Sequence, residues 1–460
     1  MLARRYDREI LYLAIPALGA LAADPLVSLI DTAFVGRLGA VPLAALGVNV
    51  ALFNVAFVLF NFLAYATTPR IGKAFGRGDL DAAGRTVTDA FVLAAVLGVV
   101  VFTVVQAFAL PLLRLMGAEG ALLGPAETYL RIRVAAGPAL LLITAANGAF
   151  RGFQDTRTPL VVTTGVALVN LALDPLFIFA FGWGLAGAAW ATVVAQWLGA
   201  GAFVALAFGR HRRAWRVPLR LPTLRALAPF VRVGWAMTIR TAALIGTMTA
   251  ATAVAARVGV VEVAAHQVAA QLWMFLALVV DALAIAAQAL VARYVGEGRP
   301  ADARAVSDRL LALGGVVGVG LGVAFWAVRV PLAGAFTDDP AVVAAVLSVF
   351  PFVAAMQPVN ALVFVWDGIF MAIEDFSFLA VAMVVSAVAG GVVLATVVPL
   401  QAGLMGVWWG ITALMAARIV TMGWRYRPAG GAFRRAADGA DGHGGPSDRG
   451  ASVGNGGSSA

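Results

Sequence analysis

The sequence predicts an all-α integral membrane protein of twelve transmembrane helices arranged as two pseudo-symmetric six-helix lobes. Three observations lead there. Of 460 residues 62% are hydrophobic and 12% charged, with a mean hydropathy of +0.91, more apolar surface than a soluble fold of this length can bury. Apolar windows long enough to cross a bilayer recur twelve times. Finally, the chain repeats itself at an offset of 220: Arg37, Gly39, Ala44 and Ala45 return as Arg257, Gly259, Ala264 and Ala265, Pro111 as Pro331, Pro138 as Pro358, and Gly148, Phe150 and Asp155 as Gly368, Phe370 and Asp375. Two copies of a helical unit in a bilayer are the pattern of secondary transporters.

The first span, 9–35, follows Arg4, Arg5 and Arg8 and is too long for a signal segment, so it reads as a retained helix. Spans 42–67, 88–113, 122–148, 159–182 and 185–208 complete the first copy; 227–255, 262–292, 307–332, 341–366, 378–400 and 403–425 form the second. Six spans per copy return the chain to its starting side, so the halves are parallel, related by an axis along the membrane normal. The expected organisation is an N-lobe at 1–208, an Arg- and Pro-rich linker at 209–226, a C-lobe at 227–426 and a disordered Gly- and Ser-rich tail at 427–460.

Basic residues near the span ends orient the chain. Arg70, Lys73, Arg77 and Arg85, then Arg151 and Arg157, the cluster from Arg210 to Arg225, and Arg293 to Arg309 fall on the N-terminal side, which places both termini in the cytoplasm and the protein in the cell's inner (plasma) membrane. The net charge of +9 is dispersed among loops and so does not suggest nucleic acid. Zero cysteines exclude disulfides and thiolate sites, and His211, His266 and His443 are too scattered for a metal cluster. No nucleophile–base or metal-ligand motif suggests an enzyme. The expected state is a monomer in the bilayer with no cofactor.

A charge at mid-bilayer costs roughly 2.5 to 3.5 kcal/mol, so each intramembrane polar residue needs a partner, a wet cavity or a proton. Asp31, Asp174 and Thr192 share a depth in spans 1, 5 and 6, and Asn170 precedes Asp174 by one helical turn. These four could converge. Two carboxyls in a poorly solvated pocket cannot both ionise cheaply, so such a site would load and release H⁺; the same oxygens could ligate Na⁺, and the bland alternative is that they satisfy backbone freed at Pro175. The repeat bears on the choice, because Asp31, Asn170 and Asp174 correspond to Ala251, Gly390 and Leu394, whereas Thr192 corresponds to Thr412. A scaffold role would be needed in both copies. Asp24 before Pro25 reads as a cap or a gating residue. Arg240 and Asp281, at equal depth in neighbouring spans, read as an ion pair or a gate, and Asp155 and Asp375 as N-caps.

These residues resemble the multidrug and toxic compound extrusion (MATE) family, and within it the DinF-type branch that includes plant citrate exporters. The resemblance rests on Ala23-Asp24-Pro25-Leu26, on Leu29-Ile30-Asp31-Thr32-Ala33-Phe34-Val35-Gly36-Arg37-Leu38-Gly39, on Phe150-Arg151-Gly152-Phe153-Gln154-Asp155-Thr156-Arg157-Thr158-Pro159 and on Gln357-Pro358-Val359-Asn360-Ala361 through Asp367-Gly368, and it spans residues 1 to about 426. It implies the MATE fold, a central cavity, and antiport of an organic solute, a lipophilic cation or a carboxylate, against H⁺ or less favourably Na⁺. Carried over, the acidic N-lobe site is Asp31, Asn170, Asp174 and Thr192, with Na⁺ conceivable at Asp31 and Asp174. Where other branches carry an acid for a C-lobe cation, this chain has Asn360, leaving Asp281 and Asp367 as candidate participants. The runner-up function is a flippase for a lipid-linked precursor, which would need several arginines lining a central cavity.

Overall fold

The computed structural model describes residues 5–427. Nearly all of the expected tail and the side chain of Asp24 lie outside the described residues. Among them eleven helices are long and apolar enough to cross a membrane, and a bent pair supplies the twelfth. In chain order they are α1 (Asp7–Gly36), α2 (Ala40–Gly76), α3 (Leu80–Ala107), α4 (Gly120–Gly152), α5 (Arg157–Ala180), α6 (Gly184–Arg210), α7 (Leu224–Val258), α8 (Val260–Gly296), α9 (Pro300–Ala327), α10 (Pro340–Ala355 and Gln357–Ala372, bent by 48°), α11 (Phe376–Val397) and α12 (Gly403–Tyr426). Helices α1 to α6 form one lobe and α7 to α12 the other, as the repeat requires.

Two boundaries differ from expectation for a local reason. Spans 88–113 and 307–332 break in the structure after Ala107 and Ala327, and short helices follow at Ala109–Leu115 and Arg329–Gly334. Pro111 and Pro331 lack the N–H that would bond to the carbonyls of residues 107 and 327, so the main helix ends there in both copies. Pro16 and Pro25, in contrast, lie inside an unbroken α1. The backbone does not restart at Pro25, which corrects the reading of Asp24 as an N-cap; in lipid a continuous helix satisfies backbone groups that a break would orphan.

Within each lobe, small residues let helices touch. A Cβ on Gly98 of α3 would come within 2.4 Å of Pro138 Cα on α4, and one on Gly318 of α9 within 2.7 Å of Pro358 Cα on α10. The same crossing is built twice from the same residue types, as expected where van der Waals contact holds helices together.

The lobes meet along α2 and α8, and their contacts gather at the face carrying the N-terminus, here the terminal face. There Arg293 Nη2 of α8 lies 2.6 Å from Glu9 Oε2 of α1, Arg309 Nε 2.6 Å from Asp7 Oδ1, and Lys73 Nζ of α2 3.0 Å from Glu374 Oε1. Tyr6 Oη donates to Asp302 Oδ1 at 2.6 Å and Gln154 Nε2 to the Ala289 carbonyl at 2.8 Å. Gln154 and Glu374 are themselves equivalent, each in a left-handed turn at φ 64° and 62°, and each reaches into the other lobe. Residues 209–226 between the lobes dock on the N-lobe: Trp215 stacks on Phe153 at 4.1 Å, and Thr88 Oγ1 donates to the Pro218 carbonyl at 2.8 Å.

Candidate functional site

Three of the four predicted N-lobe residues converge deep in that lobe, and the fourth stands on the wall of the adjoining cavity. The i, i+4 spacing on α5 puts Asn170 one turn from Asp174, and Asn170 Nδ2 donates to Asp174 Oδ1 at 3.3 Å. Asp174 is 0% and Asn170 2% exposed. The Asp31 carboxyl of α1 meets the Asp174 carboxyl within hydrogen-bonding reach. Apart from that mutual contact, Asp31 Oδ1 and Asp174 Oδ2 are buried with no donor, among the described residues. A proton between them, or a small cation, would supply what the protein withholds.

On its other side Asp31 lines a cavity of 450 Å³, with Thr192 on the facing wall together with Phe53, Phe57, Asn61, Arg133 and Gln196. Thr192 Oγ1 itself bonds back to the Ala188 carbonyl at 3.0 Å. Arg133, whose guanidinium sits 5.1 Å above the Phe53 ring and 3.3 Å from Gln196 Oε1, is a cation within electrostatic reach of Asp31. Arg133 was not singled out from the sequence. The signal that could have promoted it was its two-residue spacing from Arg131, which puts the two on different sides of α4: Arg131 pairs with Glu127 at 2.8 Å near the surface, and Arg133 turns inward.

The equivalent position in the C-lobe is solid. Ala251 is fully buried where Asp31 would be, and the Leu394 side chain packs against Gly410, at 2.6 Å from where its Cβ would sit. Thr412 alone keeps its counterpart's habit, donating to the Trp408 carbonyl at 2.8 Å. So the fold closes over apolar side chains here, and the acids of the N-lobe are additions to a unit that packs without them.

The C-lobe holds its own buried charges, and they correct the expected Arg240–Asp281 pair. Asp367 Oδ2 of α10 accepts from both Arg240 Nη2 of α7 and Arg418 Nη2 of α12, each at 2.5 Å. Asp281 makes no ion pair among the described residues, although Arg151, Asp367 and Arg240 form its electrostatic surroundings. Equal depth on neighbouring helices fixes height but leaves rotation about the axis free, and Arg240 pairs with Asp367 of α10 instead. Arg418, 1% exposed, was not anticipated. Asn360, two turns before Asp367 on the same helix, is buried with its Oδ1 unpartnered among the described residues. Asp155 does cap α5, accepting from the backbone N–H of Arg157 and Thr158 at 3.0 and 2.9 Å. Asp375 does not cap α11: its carboxylate pairs with Arg425 at 2.6 Å.

The geometry can be set beside known proteins. The MatE family profile matches residues 16–176 and again 236–397, two matches whose starts are 220 apart. Protein DETOXIFICATION 44, chloroplastic, of Arabidopsis thaliana is 37% identical over 91% of this chain and 81% of its own length. A probable multidrug resistance protein NorM of Deinococcus radiodurans is 31% identical over 88% of this chain and 92% of its own. The fold matches the solved structure of a MOP superfamily transporter from Pyrococcus furiosus with a TM-score of 0.86, at 22% identity over 94% of this chain and 98% of that one. Both the repeated profile and the full-length relatives place this chain in the MatE family, the multidrug and toxic compound extrusion (MATE) transporters of the membrane.

Proposed function

We propose that this protein exports an organic solute in exchange for inward-moving H⁺, with Na⁺ the less favoured coupling ion, and that the exchange is made at Asp31 and Asp174. One observation carries the reading: two carboxyls meet at the edge of the N-lobe cavity with a lone Asn as further partner, while the homologous site of the C-lobe is filled by Leu394 and Ala251. Two such groups hold one proton between them more cheaply than two charges. Loading that proton removes the repulsion that would push α1 from α5, and the wall of the 450 Å³ cavity, which α1 supplies through Val27, Ser28, Asp31 and Thr32, changes with it. Solute and ion therefore compete for one shape of α1.

The cavity suits an amphipathic solute. Phe53, Phe57 and Tyr129 offer faces, and Asn54, Asn61, Thr144 and Gln196 offer hydrogen bonds. The family and the printed names of the NorM relatives support a drug-like or toxic compound. A flippase would need several arginines on the cavity wall, and Arg133 is the arginine found there. Basic residues at the terminal face support cytoplasmic termini in the cell's inner membrane. One H⁺ crossing about 150 mV supplies roughly 3.5 kcal/mol, enough for a gradient of a few hundred-fold.

The test is efflux from reconstituted vesicles with ΔpH and ΔNa⁺ imposed separately, run with a lipophilic cation and with citrate. Efflux driven by ΔpH alone is expected, and a folded Asp31→Asn protein should lose the coupling. Full ΔpH-driven transport by that variant would overturn the proposal.

A further inference from the structure

A second cavity, of 300 Å³, opens at the terminal face between the lobes and lies far from the acid pair along the chain's own helices. It is lined by Arg70 of α2, by Arg225, Ala228, Pro229, Arg232, Val233 and Ala236 of α7, and by Glu374, Phe376 and Ser377 at the start of α11. The α7 residues recur at three- and four-residue spacings, so they form one helix face turned into the cavity.

The charges do not balance. Among the described residues, none of Arg70, Arg225 and Arg232 has an ion pair or a hydrogen bond to a carboxylate; the Arg70 guanidinium lies 4.9 Å over the ring of Phe230. The two acids within electrostatic reach of Arg70 are Glu374 and Asp89. Glu374 is held by Lys73 at 3.0 Å and Asp89 by Arg220 at 3.1 Å. Three guanidinium groups therefore face a space whose nearby carboxylates are already matched, an arrangement that calls for an anion with several acceptor oxygens.

Position names the anion's source. Arg225 is the second residue of α7 and Arg232 two turns further in, about 10 Å along the axis at 1.5 Å per residue. That distance matches the headgroup layer of one leaflet and the start of its hydrocarbon. Leu221 just before α7, Leu224 at its start and Trp235 three turns in are 84%, 86% and 69% exposed, apolar surface that acyl chains would cover and an aromatic of the kind that sits at the interface. We propose that this cavity binds the phosphodiester headgroup of an anionic phospholipid, with Arg225 and Arg232 as its principal contacts and Arg70 closing it from the other lobe. Because the cavity takes Arg70 from the N-lobe and the rest from the C-lobe, a bound headgroup holds the terminal ends of the lobes together and favours the arrangement seen here.

Native mass spectrometry of the full-length protein in detergent tests this, with phosphatidylglycerol, phosphatidylcholine and inorganic phosphate as probes. Arg225 and Arg232 are exposed, so R225Q/R232Q should fold, and R212Q/R213Q in the neighbouring loop serves as the matched control. The expected result is phosphatidylglycerol retained over phosphatidylcholine by the wild type and the control, and affinity lower by about tenfold or more in R225Q/R232Q. Equal retention by all three proteins overturns the site. Displacement of the lipid by millimolar inorganic phosphate overturns the lipid as occupant and leaves a free-anion site.

Discussion

Gly76 and Gly296, equivalent residues of the two repeats, each press against the other's helix. A Cβ on Gly76 would stand 2.2 Å from the Arg293 carbonyl, and one on Gly296 2.2 Å from the carbonyl of Lys73, while Gly72 faces Ala292, its own counterpart. The pseudo-twofold axis therefore passes through the α2–α8 crossing near the terminal face. Such contact leaves no space for any side chain, so the crossing is either made in full or separated.

Gly76→Val should force that separation, with a stability loss of about 1 to 3 kcal/mol for the overpacked crossing. The chain has no cysteine, so a single reporter is unambiguous. Ala289→Cys, buried under Gln154, should react with a water-soluble maleimide faster in the Gly76→Val background. Unchanged labelling would mean that the crossing does not open the terminal face.

Breaking the Asp367 cluster should rank two substitutions. Asp367→Asn leaves Arg240 and Arg418 as buried cations without their shared carboxylate, a loss of about 3 to 5 kcal/mol. Arg418→Met keeps the Arg240–Asp367 pair and should cost clearly less. Melting temperatures in detergent check the order, and a reversed ranking would show that Arg418 carries the cluster.

What the sequence made legible followed from period and spacing. Twelve apolar windows, the 220-residue offset and the one-turn separation of Asn170 from Asp174 are properties of single helices, and the structure keeps them. Partners chosen between helices were harder. Arg240 and Asp281 share a depth, but helix rotation, and a twelfth helix that brings in Arg418, decide that Asp367 is the acid. In the same way nothing in the run around Asp375 foretold Arg425, which takes the carboxylate that local capping rules would have spent on the α11 N-terminus.

Alkaline pH should loosen the terminal face through Tyr6. Its hydrogen bond to Asp302 and its burial raise its pKa above the usual phenol value. A group raised in the folded state contributes stability that is complete below its unfolded value, about 10, and is lost as pH climbs through the raised one. The wild type should therefore lose melting temperature above pH 10 more steeply than Tyr6→Phe, which has nothing to ionise there. Parallel curves would show that the Tyr6–Asp302 contact does not hold the terminal face.

Trp215 ties the inter-lobe segment to the N-lobe, and its removal should release that segment without disturbing the acid site. The indole stacks on Phe153 at 4.1 Å and 9°, meets Phe150 at 4.8 Å, and is 9% exposed; the backbone beside it packs on Gly84, where an added Cβ would sit 2.4 Å from the Arg216 carbonyl. Replacing it with Ala removes these two ring contacts and the stack on His211 at 4.5 Å, and leaves a void the rigid neighbours cannot fill, a cost of about 3 kcal/mol. The Asp31–Asp174 contact lies on α1 and α5, neither of which contributes to this stack. Trp215→Ala should thus show a lower melting temperature and trypsin cleavage at Arg212, Arg213 or Arg216, while the proposed ΔpH-driven efflux should be the same in the variant as in the wild type. Lost coupling with the segment still resistant to trypsin would reverse the argument and make the stack part of the transport cycle.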